Sequence, residues 1–103
     1  MINPKLGYKM TKIQTVEKKI FEIELVNVKF IKDGQDVRGD KRIPTQYNFD
    51  RMLKNSASIK DLITKRLQKK FPGYDFEVLK QDGSPASGQT KLSTVRDTYL
   101  DEE

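Results

Sequence analysis

The chain has 103 residues and contains no cysteine, no histidine and no tryptophan. Without Cys and His there is no disulfide framework, no zinc site of the nitrogen–sulfur kind, no haem ligation through His, and no Ser-His-Asp or Cys-His nucleophilic pair. No apolar run comes near the roughly 18 residues a membrane span needs, and the opening MINPKLGYKM holds no apolar stretch of a secretory leader. The sequence also lacks G-x-G-x-x-G and P-loop motifs, and Asp33, Asp36 and Asp40 do not follow the spacing of a Ca²⁺ loop. These absences give the expectation of a soluble, cytoplasmic, non-catalytic domain with no metal, no cofactor and no membrane contact.

What is present is charge. Lys and Arg number 20 against 15 Asp and Glu, for a net charge of +5 and a pI near 9.4. Hydrophobic residues make up 35% and charged residues 34%, so the core must be small and the surface ionic. The charge is unevenly spread. Residues 1–37 hold seven Lys against five acids, residues 38–70 ten Lys and Arg against three, and residues 71–103 three against seven. A basic middle followed by an acidic C-terminal third draws phosphate backbones or acidic proteins to one part of the surface. The acidic third offers a contact for a neighbouring copy, so a homo-oligomer is one expected form.

The pattern along the chain predicts a basic arm over residues 1–16, a single α+β domain over 17–100 and an acidic tail at 101–103. Residues 18–31 read as a long strand, because Phe21, Ile23 and Leu25 alternate with Glu22 and Glu24 and β-branched and aromatic residues are frequent. The apolar parity changes at Leu25–Val26, which suggests either a bulge there or a long strand whose two ends are covered on opposite faces. Asp33-Gly34 suits a type I′ hairpin turn, with a return strand from about Asp36 to Arg42 weakened by Gly39 and ended by Pro44. Phe49, Met52 and Leu53 allow one or two helical turns within residues 47–55. Ser58 and Asp61 form a capping-box pattern before a stripe of Ile59, Leu62, Ile63, Leu67 and Phe71, and Pro72-Gly73 stops that helix. Tyr74, Phe76 and Val78 alternate with acids as a strand, and residues 81–88 are turn chemistry. Residues 89–100 fit both a strand and a short helix; their threonines and Val95 favour the strand. The expected fold is a small antiparallel sheet in ββαββ order with one main amphipathic helix packed on one face.

Candidate binding residues follow from the cations. Lys65 and Lys69, and Arg66 and Lys70, are like-charged i,i+4 pairs that cost helix stability, a repulsion phosphate would relieve. Lys60 lies on the same helix, and Arg38, Lys41 and Arg42 precede it. In the arm, Lys5, Lys9 and Lys12 suit phosphate tracking or groove entry, with Tyr8 beside them. The other aromatics fall where a small core needs them, which favours contact with a duplex backbone over base stacking. The pairs Glu22/Glu24 and Asp75/Glu77 read as solvated strand faces, not as catalytic carboxylates. The tripeptide Arg38-Gly39-Asp40 is read as a chance match to an integrin motif.

The run Arg66-Leu67-Gln68-Lys69-Lys70-Phe71-Pro72-Gly73 closes a basic helix with an aromatic and a Gly, and the alternating strand Asp75 to Leu79 follows. In length, order of elements and basic N-terminal segment, the chain resembles the histone-like double-stranded-DNA-binding proteins of phi29-type phages over about residues 10–100. The resemblance implies non-specific duplex binding by a self-associating protein, with Lys5, Lys9 and Lys12 matching its basic segment by position alone. The stretch before Met10 and the loop 81–88 depart from the pattern. The sequence-based expectation is therefore a weakly sequence-specific nucleic-acid-binding protein of phage type, duplex DNA being favoured. The alternative is a small inhibitor or counter-defence factor acting on an acidic or nucleic-acid-binding host protein.

Overall fold

Ile13, Val16 and Ile20 recur at helical spacing. In the computed structural model, which describes residues 10–100, they form the buried face of a helix where a strand is expected. Strand β1 (Thr11–Lys12) leads directly into helix α1 (Ile13–Glu24). Lys12 offers no capping side chain, so the first free N–H groups find other acceptors: Ile13 N–H donates to the Lys41 carbonyl at 2.8 Å and Gln14 N–H to the Gly39 carbonyl at 2.9 Å. A Cβ on Gly39 would lie 3.0 Å from Gln14 Oε1, so this glycine clears the approach to α1. The helix ends at Leu25, whose φ of +64° is left-handed and whose N–H returns to the Phe21 carbonyl. The parity change at Leu25–Val26 is therefore a helix exit and not a bulge.

These contacts also correct the expected arm. Residues 10–16 belong to the folded domain, with Ile13 and Val16 in its core. Residues 1–9 and the expected tail 101–103 lie outside the described residues.

Strand β2 (Asn27–Lys32) turns at Asp33-Gly34 into β3 (Gln35–Asp36), and the positive φ values of both turn residues, +53° and +77°, suit the expected tight hairpin. The return strand stops at Asp36. Arg42–Ile43 form a separate strand, β4, antiparallel to β1. No helix forms within residues 44–57, which run as irregular backbone with Tyr47 buried.

The expected capping box is present. The Ser58 hydroxyl accepts from Asp61 N–H, and the Asp61 carboxylate accepts from Ser58 N–H, both at 3.1 Å. Helix α2 then runs through Ile59–Leu62, a π-helical turn at Ile63–Leu67 and a last turn at Gln68–Lys70. Leu62 and Leu67 are five residues apart, and the wider π turn lets both reach the core. Strand β5 (Asp75–Leu79) pairs with β2, giving the sheet order β3-β2-β5 with Phe76 and Val78 inward and Asp75 and Glu77 in water.

Residues 92–100 form helix α3 (Leu92–Leu100) instead of a strand. Its first N–H groups are taken by the carbonyls of Ala57 and Asn55, and Leu92 and Val95 are fully buried. The Tyr99 hydroxyl donates to the Leu79 carbonyl and accepts from Asn27 N–H, ending the β2–β5 ladder with a side chain. The fold is thus α+β, with three helices and small antiparallel sheets among the described residues, in the order β1-α1-β2-β3-β4-α2-β5-α3. At its centre Phe30 meets Phe71, Tyr74 and Phe76 edge to face at 4.9–5.3 Å.

Ser58→Ala should lower stability by about 1 kcal/mol in urea unfolding. The hydrogen bond from Ser58 N–H holds the Asp61 carboxyl below the usual carboxylate range. Its contribution is therefore complete above the unfolded-state pKa and is lost as pH falls through the lower folded value. The stability gap between wild type and Asp61→Asn should accordingly close on acidification; a gap independent of pH would contradict the capping role.

Candidate nucleic-acid interface

The cations of α2 divide by the face on which they fall. Arg66 is turned inward, with its side chain only 17% exposed. Its Nη1 donates to Glu24 Oε2 at 2.6 Å and to the Arg51 carbonyl at 2.8 Å, and the guanidinium lies 4.2 Å from the Phe49 ring centroid. Glu24 itself is fully buried, which corrects its reading as half of a solvated carboxylate pair. It also accepts from the Tyr47 hydroxyl at 2.5 Å, Leu53 N–H at 2.8 Å and Arg96 Nη2 at 3.3 Å. Arg96 adds a bond from Nε to the Glu24 carbonyl and one from Nη1 to Asn55 Oδ1. Burial pushes the Tyr47 hydroxyl far above its ordinary pKa, the adjoining Glu24 carboxylate adds to the rise, and Arg66 opposes it. Burial also lowers the pKa of Arg96, while Glu24 pulls it back up. The cluster is a structural hub that no apolar-pattern reading reveals.

The other α2 cations face water. Lys65 Nζ sits 3.8 Å from Asp61, an exposed i,i+4 pair worth little. Lys69 is exposed, and Lys70 donates to Asn48 Oδ1 at 2.8 Å and stands 5.4 Å from the Phe49 centroid. Lys60 lies at the opposite end of the helix, about 15 Å along its axis from Lys70, where Gly88 and Thr90 cap the first turn.

Immediately after Lys69 and Lys70 the chain turns through Phe71, Pro72 and Gly73 into Tyr74, and two more lysines meet it there. Lys32 Nζ donates to the Gly73 carbonyl at 3.2 Å and stands 5.3 Å from the Tyr74 centroid; Lys41 Nζ stands 5.8 Å from the same ring. Lys32 sits in the hairpin, so the α2 helical stripe gives no signal for it. An open hollow of about 370 Å³ beside Lys41 is lined by Arg38 and Asp40, but Arg38 is paired with Asp40 at 2.9 Å.

Lys12 and Arg42 are directly opposed across the β1–β4 ladder, and Arg42 also reaches the Met10 carbonyl at 3.3 Å. Like charges placed this way destabilise a ladder, so an anion between them would relieve strain on the pair. Of the expected arm residues, Lys5 and Lys9 lie outside the described residues, as does Tyr8.

Among the expected binding residues, then, Lys41 meets Lys32 at the Tyr74 ring, and Lys69 and Lys70 stand on the last turn of α2, just before residues 71–74. Lys12 and Arg42 form a second pair, Lys60 lies at the other end of α2, and Lys65, Arg66 and Arg38 are engaged with carboxylates. Among the described residues no group of three or more carboxylates could hold a metal ion, and no helix is long and apolar enough to cross a membrane. No protein-family model, curated protein sequence or solved structure matches this chain.

Truncating the hub leaves two guanidiniums without their carboxylate. Glu24→Ala should cost about 3–5 kcal/mol, read as a shift of the urea midpoint. A double-mutant cycle between Glu24→Ala and Arg66→Met should show strong coupling; additive losses would mean that the pair does not act as a unit.

Proposed function

We propose that this chain is a non-catalytic protein that binds nucleic acid, duplex DNA first, through phosphate contacts with weak sequence preference. The observation that carries the reading is the run of lysines on either side of the turn at residues 71–74, with Lys32 and Lys41 at the Tyr74 ring and Lys69 and Lys70 on the helical turn just before it, none of them paired with a carboxylate among the described residues. Neighbouring unneutralised ammonium groups repel one another, and a phosphate backbone removes that cost while releasing its own counterions. The packing of Phe30, Phe71, Phe76 and Tyr47 into the core favours backbone contact over base stacking. The resemblance to phi29-type histone-like proteins extends the reading to a phage-type protein acting in a host cytoplasm and assembling on DNA in several copies.

Titrating a short mixed-sequence duplex by fluorescence anisotropy at several salt concentrations tests this. Log affinity should fall linearly with log salt, and each of Lys32→Ala, Lys41→Ala, Lys69→Ala and Lys70→Ala should reduce the slope by about 0.9. Binding indifferent to salt and to all four substitutions would overturn the reading. A chain that binds neither DNA nor RNA but captures a nucleic-acid-handling protein would instead be an inhibitor.

A further inference from the structure

The hub beneath α2 is not electrically balanced. Glu24 brings one negative charge, and Arg66 and Arg96 bring two positive ones. Arg96 spends all three of its nitrogens, on the Glu24 carbonyl, the Glu24 carboxylate and Asn55. Arg66 does not. Its Nη1 alone carries the bonds to Glu24 and Arg51, while Nε and Nη2 have no hydrogen-bond acceptor among the described residues. The Nε–Nη2 edge of Arg66 therefore carries uncommitted donors, on a side chain that keeps 17% exposure.

That edge does not stand alone. Lys70 lies one turn further along α2, fixed by its bond to Asn48, and both cations lie against the ring of Phe49. The Nε–Nη2 side of a guanidinium is a planar fork that matches two oxygens of a phosphate. Here the fork is held still by the bonds at Nη1, so little conformational freedom remains to be lost on binding.

We propose that the Nε–Nη2 edge of Arg66 and the Lys70 ammonium form a subsite for one phosphate group, beside Phe49. The subsite rests on the nucleic-acid reading for its natural occupant, a backbone phosphate of the duplex. It would fix one phosphate in place on a surface where the remaining lysines act only through their charge. Free phosphate shares the same chemistry and is the other source.

Two titrations of the full-length, ¹⁵N-labelled chain separate these possibilities. Inorganic phosphate, balanced with chloride at constant ionic strength, should move the Arg66 Nε–H signal saturably and leave that of Arg38, which is paired with Asp40, in place. Lys70→Ala should weaken this response roughly three- to tenfold, and Lys60→Ala, at the far end of α2, should not change it. A duplex should move the same Arg66 signal, and added phosphate should compete. An Arg66 signal that stays still in both titrations while the duplex binds would overturn the subsite and leave the lysine interface standing. A response to phosphate without any duplex binding would overturn the nucleic-acid reading and identify free phosphate as the ligand.

Discussion

A single buried carboxylate holds this small domain together. Glu24 stands at the last turn of α1 and receives donors from the irregular segment 44–57, from α2 and from α3. Taking that charge out of water is costly, and the cost is offset only because its oxygens are met by two guanidiniums, a phenol and a backbone N–H. In return the hub fixes a stretch that has no helix or sheet of its own. Tyr47, Leu53 and Asn55 are held by polar bonds to α1 and α3 where a ladder would otherwise be needed. With about a third of the chain apolar, a network of hydrogen bonds does part of the work a larger core would do.

The basic residues fall into two groups by their chemistry. Four of the five arginines, Arg38, Arg42, Arg66 and Arg96, are engaged with carboxylates or carbonyls. Lysines make up the unpaired surface charge around residues 69–74. The division follows from the side chains. A guanidinium offers five donors in a rigid plane and tolerates partial burial, whereas an ammonium is strongly hydrated and stays at the surface. In this chain the basic charge read from composition is thus partly framework and partly surface.

The same chemistry explains which elements the sequence discloses. Helix α2 is legible because its start carries Ser58 and Asp61 and its buried stripe is apolar throughout. The hairpin is legible because Asp33-Gly34 has few other uses. Helix α1 is concealed because its fourth core position is Glu24, which interrupts the apolar period and leaves the alternation of Phe21, Ile23 and Leu25 as the stronger pattern. Helix α3 is concealed in the same way, since Arg96 occupies a buried position between Val95 and Tyr99. Residues that a helical-wheel reading assigns to water are those that join the elements. Of the interface, the α2 lysines are visible in sequence, but Lys32 joins them only through the fold, across 41 residues from Gly73.

The Tyr99 hydroxyl, set between Asn27 and Leu79, and the bond from Arg96 to Glu24 each span 72 residues. Closing loops of that length must be paid for in entropy before either contact returns any stability. On a ribosome, the end of the β2–β5 ladder and the shell around the buried carboxylate stay incomplete until α3 has left the exit tunnel. A nascent chain stalled before residue 92 would leave Glu24 without the Arg96 guanidinium and the end of the β2–β5 ladder without the Tyr99 hydroxyl.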